Sequence, residues 1–236
     1  MKSIRLCSVR LLTLAVAVAA AAFTLPLHAS TIDWTHWTAA VSGNPGSASG
    51  SLGSGVTVTY AGENNGLLIG YPSWNPASTF SGGTVGNAPP AANNAVALTG
   101  GSAYTETITF SSAVTDPVMA IWSLGQPGVA ALFDFTSSEP FSIQAGGPSA
   151  EYGGTSITQS GNNVMGNEGN GVIQFSGSFT QLTFTTPNFE NYYAFTVGSP
   201  AAASAVPEPG TYLLLATGIG MLFFFRRSFH GLGELF

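Results

Sequence analysis

Val56-Thr57-Val58-Thr59-Tyr60 sets two valines and a tyrosine on one side of an extended chain and two threonines on the other. Successive side chains of a strand point to opposite faces, so this alternation predicts a strand with one face buried and one solvated. Working outward, the same reading applies to Tyr104 to Phe110, Val118 to Trp122, Val129 to Phe135, Gly171 to Phe175, Phe179 to Thr185 and Tyr192 to Val197. Between these segments lie Gly43-Asn44-Pro45-Gly46, Gly82-Gly83, Asn87-Ala88-Pro89-Pro90, Gly146-Gly147-Pro148 and Gly161-Asn162-Asn163, which suit turns because glycine and asparagine reach positive φ and proline fixes it. Short strands at this spacing predict an all-β domain over residues 30–199, an antiparallel β-sandwich of jelly-roll type. No fixed-period repeat is present. The glycine- and asparagine-rich stretch from Gly62 to Gly101 reads as a long surface excursion rather than sheet.

Composition narrows the function. The 236-residue chain has 5 Lys and Arg, at positions 2, 5, 10, 226 and 227, so no Lys or Arg lies between Leu11 and Phe225. The acidic side chains of residues 30–199 therefore stand unopposed, and nucleic acid and anionic membrane surfaces are excluded as partners, because phosphate binding needs Lys or Arg to release counterions. The single cysteine, Cys7, precedes the predicted domain, which leaves that domain without a disulfide, a thiol nucleophile or a cysteine metal site. About 170 residues suffice to bury a core without such staples. The strands also lack lysine, the commonest guard against edge-to-edge pairing, so proline, glycine and covered edges must limit self-association.

Both ends read as topology. Lys2, Arg5 and Arg10 precede an apolar run from Leu11 to Leu25, Pro26 breaks it, and Leu27-His28-Ala29 offers a small residue at a cleavage position. Residues 1–29 are thus expected to be a cleaved signal peptide with a helical apolar segment. At the other end a linker, residues 200–205, leads to Val206-Pro207-Glu208-Pro209-Gly210-Thr211, an apolar run from Tyr212 to Phe225, the pair Arg226-Arg227 and a tail at 228–236. Fourteen residues rise only about 21 Å as a helix, against a hydrocarbon core of roughly 30 Å. Position favours a short transmembrane helix nonetheless, since the run follows a linker and stops at an arginine pair, which marks a cytoplasmic side.

The order of triplet, apolar helix and arginine pair at residues 206–227 resembles the PEP-CTERM sorting signal of Gram-negative bacteria. Two departures are mild: Tyr212 stands where tryptophan is common, and residues 228–236 extend past the arginines. The resemblance implies recognition by an exosortase, a membrane protease of transpeptidase-like type, with processing near Pro207-Glu208-Pro209. It also implies export across the inner membrane, anchoring through the C-terminal helix before processing, and a place at the cell surface or in an exopolysaccharide and biofilm matrix. Physically, the two prolines keep Val206 to Pro209 extended and free of internal hydrogen bonds, as a protease groove requires, with Glu208 as a charged handle.

For the domain itself the expected role is non-enzymatic, structural or adhesive, with no cofactor and no metal. His36 is its only histidine, and nothing near it resembles a nucleophile elbow. Asp116, Asp134, Glu139, Glu151 and Glu168 supply carboxylates for a glycoside hydrolase, but no spacing singles out a pair. Asn162, Asn163, Asn167, Glu168 and Asn170 offer oxygens for calcium, yet lack the aspartate spacing of known loops and read better as a turn. Carbohydrate binding is the alternative function: Tyr71, Trp74 and Trp37 are candidate platforms for stacking on sugar rings, with Trp34 nearby. Thr57, Thr59, Thr105, Thr107 and Thr109 resemble ice-binding faces, though a solvated β-face explains them equally well.

Overall fold

The computed structural model describes residues 29–201 and 217–219. The chain divides into two compact units, Met1–Ala201 and Ala202–Phe236. The signal segment at 1–28, Val206 to Pro209, Arg226 and Arg227 lie outside the described residues. No helix among the described residues is long and apolar enough to cross a membrane.

In chain order the strands are β1 (Ile32–Trp34), β2 (His36–Val41), β3 (Gly43–Ser51), β4 (Thr57–Asn64), β5 (Leu67–Leu68), β6 (Ala95–Leu98), β7 (Glu106–Thr115) and β8 (Val118–Leu124). There follow β9 (Ala131–Phe135), β10 (Phe141–Gly146), β11 (Thr155–Ser156), β12 (Thr158–Ser160), β13 (Asn163–Gly166), β14 (Gly169–Phe175), β15 (Ser178–Thr185) and β16 (Tyr193–Pro200). One helical turn, α1 (Ala77–Phe80), and a 3₁₀ turn at Ala91–Asn93 separate β5 from β6. Two 8-stranded sheets form a sandwich. Sheet I runs β10-β14-β8-β16-β6-β5, with β1 on β16 and β11 on β14; sheet II runs β12-β13-β9-β15-β7-β4-β3-β2. Every pairing between these strands is antiparallel except β11 with β14.

The predicted strands are all present, and alternation explains which face each presents. In β4, Val58 and Tyr60 point inward opposite Phe110 and Ile108 of β7, while Thr59 points outward opposite Thr109. From sheet I, Met119, Ile121, Tyr193, Phe195 and Val197 meet Phe133, Phe135, Leu182 and Phe184 of sheet II in one core. Phe195 takes edge-on contacts from Tyr60 at 5.3 Å and Phe184 at 5.9 Å, the geometry aromatic pairs prefer.

Two expectations are corrected. Gly43-Asn44-Pro45-Gly46 belongs to β3, where the irregularity it creates is a bulge between Gly43 and Gly46. The stretch from Gly62 to Gly101 is no surface excursion: Gly62 to Asn64 end β4 of sheet II, β5 and β6 join sheet I, and the segment between β5 and β6 crosses that sheet's outer face. There Trp74, Phe80 and Val85 pack on Ile32, Val118, Ala120, Trp122, Val172 and Ala194. Polar contacts fasten the crossing at both sides. Asn87 accepts from the Ile32 amide at 2.6 Å and donates to its carbonyl at 3.1 Å, while the Thr84 hydroxyl bonds Gln144 and Gln174. Sheet I is therefore buried on both faces, and β8, Val-Met-Ala-Ile-Trp-Ser-Leu, is buried at each position.

The interior also holds carboxyls. Glu63 on β4 accepts from the amides of Thr99 and Gly100 at 2.9 Å each and from the Thr99 hydroxyl at 3.1 Å. Beside it, Glu106 Oε2 accepts from the Glu63 amide at 2.7 Å and hydrogen-bonds the Tyr60 hydroxyl, while Oε1 is buried without a partner. Gly62 (φ 153°) is required here, because a Cβ would collide with the Glu106 carboxyl. Burial raises Glu106 to about 7, only partly offset by Tyr60 and the Glu63 amide. Glu190 also rises to about 7, through burial and the charge of Glu168.

Both carboxyls keep a proton in the folded chain where an unfolded carboxyl, with its ordinary value near 4.3, has lost it. The stability tied to these protons is full below about pH 4 and is lost as pH rises through about 7. The thermal midpoint is expected to fall by several degrees between about pH 5 and pH 8, and Glu106→Gln to shrink that fall. Scanning calorimetry at both pH values checks this, and a midpoint that rises over the interval contradicts it.

Candidate functional site

The sequence nominated Tyr71, Trp74 and Trp37, and the structure separates them. Trp37 is 0% exposed and Trp74 is 1% exposed, so neither indole presents a face to a ligand. Trp37 sits in the core between the sheets, its Nε1 donating to Thr196 Oγ1 at 3.0 Å. Trp74 is covered on the outer face of sheet I, edge-on to Phe80 at 5.1 Å. A stacking platform at either tryptophan is thus ruled out by burial. Trp34 is buried in the same outer layer.

Tyr71 remains at the surface, in other company. Trp122 of β8 points to the outer face of sheet I, and three tyrosines close over it: Tyr71 edge-on at 4.9 Å, Tyr152 tilted at 5.4 Å and Tyr192 edge-on at 5.5 Å. Tyr152 is 52% exposed, and Tyr71 and Tyr192 are half-buried. Burial and hydrogen bonding to Tyr152 push the Tyr71 and Tyr192 hydroxyls up, Tyr192 to about 12, so these two stay neutral donors and acceptors. The patch is built from three distant segments: the loop after β5, the turn after β10 and the approach to β16.

Glu151 ties those segments together. Its carboxylate accepts from the Ser73 amide at 2.8 Å and from Trp122 Nε1 at 3.2 Å. Burial pushes this carboxyl up, but the donated hydrogen bonds outweigh it and hold the group below the usual carboxylate range, ionised at neutral pH. Two further carboxyls flank the end of β8. Glu168 accepts from the Ser123 hydroxyl at 2.8 Å, and Glu190 lies close enough to Glu168 to feel its charge. Trp74, Ser123 and Glu168 hold positive φ of 55°, 58° and 57°. Such backbone costs of order 1–3 kcal/mol for a non-glycine residue and gathers where function holds it in place.

The other candidates resolve differently. Asp116 accepts from the Gly177 amide at 2.8 Å, Glu139 is buried against the Thr183 amide at 2.7 Å, and Asp134 faces solvent on β9. Of the proposed calcium oxygens, Asn170 is buried and spends its side chain on the Ser123 amide and the carbonyls of Gly153 and Glu168. No group of three metal-ligating side chains occurs among the described residues. Thr59 and Thr109 lie side by side on the outer face of sheet II, with Ser49 opposite Thr59 and Ala61 opposite Thr107. This face carries a hollow of about 330 Å³ near Val41, Ser47 and Thr59, lined by uncharged side chains. Thr105 precedes β7 and is not part of it.

Reasoning from sequence missed Trp122, Tyr152 and Tyr192 as partners of Tyr71. The only local signal was Glu151-Tyr152-Gly153-Gly154, an aromatic beside an acid in a glycine turn.

Outside the sandwich, a family model described as the PEP-CTERM protein-sorting motif matches residues 205–228. This chain carries a PEP-CTERM sorting signal. It marks an exported protein directed to the cell surface through an exosortase, and the match spans the triplet, the apolar run and both arginines identified above. No curated protein and no solved structure matches the chain.

Removing the Glu151 side chain leaves the Ser73 amide and Trp122 Nε1 without acceptors, so Glu151→Ala is expected to cost about 1–3 kcal/mol. Asp134→Ala, on an exposed position, is expected to change stability by no more than about 0.5 kcal/mol. Urea unfolding of the two variants checks the contrast; equal effects contradict the bracing role of Glu151.

Proposed function

We propose that this protein is a non-enzymatic structural or adhesive component of an extracellular polysaccharide matrix, made by a Gram-negative bacterium. In this reading it is exported by its N-terminal signal, held at the inner membrane by the apolar run at 212–225, and processed by an exosortase near Pro207-Glu208-Pro209. The sorting signal at 205–228 is the observation that carries it. The sandwich supports it in character. Glu139, Glu151 and Asp116 are spent on the fold's own backbone, so the domain is organised for rigidity more than for turnover.

A carbohydrate-binding role is the second reading, favoured by the tyrosine patch over Trp122, which supplies aromatic rings and hydroxyls on an open face. The test of the main reading is delivery: the protein is expressed in its host with and without the exosortase, fractionated, and its C-terminus placed by intact mass. Cell-surface or extracellular protein ending near Pro207 to Pro209 only in the exosortase strain is the expected result. Retention of Arg226 and Arg227 in both strains contradicts it.

A further inference from the structure

We infer that the tyrosine patch is a subsite for a positively charged sugar, an amino sugar carrying a free ammonium within a polysaccharide chain. The inference rests on the matrix reading above and gives its ligand a chemical class.

Three observations carry it. The patch is aromatic and open: Tyr152 stands half exposed beside Tyr71 and Tyr192, over the buried indole of Trp122. Sugar rings present apolar C–H faces to aromatic rings, and an ammonium is drawn to the face of the same rings. The surroundings are anionic: the Glu151 carboxylate is bonded to Trp122, and Glu168 is bonded to the neighbouring Ser123. The chain between Leu11 and Phe225 has no Lys or Arg of its own to neutralise them. A polyuronate or other acidic polymer is therefore repelled from this end of the sandwich, and a cationic polymer is concentrated there. The polar rim matches: the three tyrosyl hydroxyls and the Asn191 to Gln126 pair, 2.7 Å apart, serve the hydroxyl groups of a sugar. The hollow on sheet II beside Thr59 and Thr109, by contrast, offers hydroxyls without charged side chains, and so nothing that selects a cation.

The test uses the full-length protein purified in detergent and four probes of matched length: a glucosamine oligomer, the N-acetylated oligomer, a neutral β-glucan oligomer and an oligouronate. Calorimetric titration is expected to show the glucosamine oligomer binding at least tenfold tighter than the other three, with affinity falling as salt screens the carboxylates. Tyr152→Ala, at an exposed position, is expected to weaken that binding at least tenfold with its circular dichroism unchanged. Glu151→Gln is expected to reduce the preference over the N-acetylated oligomer, and Thr109→Ala on sheet II to leave binding as it is. Equal binding of charged and neutral oligomers, preference for the oligouronate, binding that survives Tyr152→Ala, or no binding to any probe overturns the inference. Exosortase-dependent processing is read separately by mass, so the matrix reading and the ligand class fail independently.

Discussion

Sheet I is held by apolar burial on both of its faces, and the rest of the domain is arranged around that constraint. With one cysteine in the chain and no Lys or Arg between Leu11 and Phe225, neither disulfides nor Lys and Arg salt bridges are available to the sandwich. The inner face meets sheet II through a dense aromatic contact centred on Phe133, Phe135, Phe184 and Phe195. The outer face needs its own cover, and the segment between β5 and β6 supplies it with Trp74, Phe80 and Val85. A residue such as Trp122 is then fixed by packing from neighbours brought in from all along the chain.

The same constraint positions the candidate site. Where the cover ends, Trp122 would reach the surface, and Tyr71, Tyr152 and Tyr192 close over it. Glu151 fastens the cover to the sheet by accepting from both Ser73 and Trp122. Three of the residues with positive φ, Trp74, Ser123 and Glu168, belong to the segments joined there. The opposite outer face has no such demand. Its threonines and serines are what a solvated antiparallel face carries when the interior is already filled.

Strands with one solvated face were legible because polarity alternates along them, as at Val56 to Tyr60. β8 was legible as a strand but not in its burial: alternation promised a solvated face, whereas the outer layer over sheet I buries each of its positions. β6, Ala-Val-Ala-Leu, was not: buried on both faces it does not alternate, and it follows Asn93-Asn94 in a context rich in turn formers. β3 was hidden for the opposite reason, since Gly-Asn-Pro-Gly-Ser-Ala-Ser-Gly-Ser has little β-propensity and pairs because β2 and β4 flank it. The aromatic candidates were misjudged by their neighbours in sequence. Trp74 lies in a loop-like stretch yet is buried, because that stretch is a layer of the structure, and Tyr71 finds its partners 51, 81 and 121 residues away at Trp122, Tyr152 and Tyr192. Separations of that kind leave no local pattern. The sorting signal was legible in full because its recognition depends on linear order alone.

The central claim is that the segment from Gly62 to Gly101 completes sheet I and seals its outer face. Amide hydrogen exchange of the full-length protein, resolved by peptide, tests it most directly. The account predicts that Ala95 to Leu98 exchange as slowly as Ala194 to Val197, the neighbouring strand in sheet I, since both open only with the whole core. Exchange at Ala95 to Leu98 as fast as in an exposed turn, with Ala194 to Val197 still protected, would contradict it.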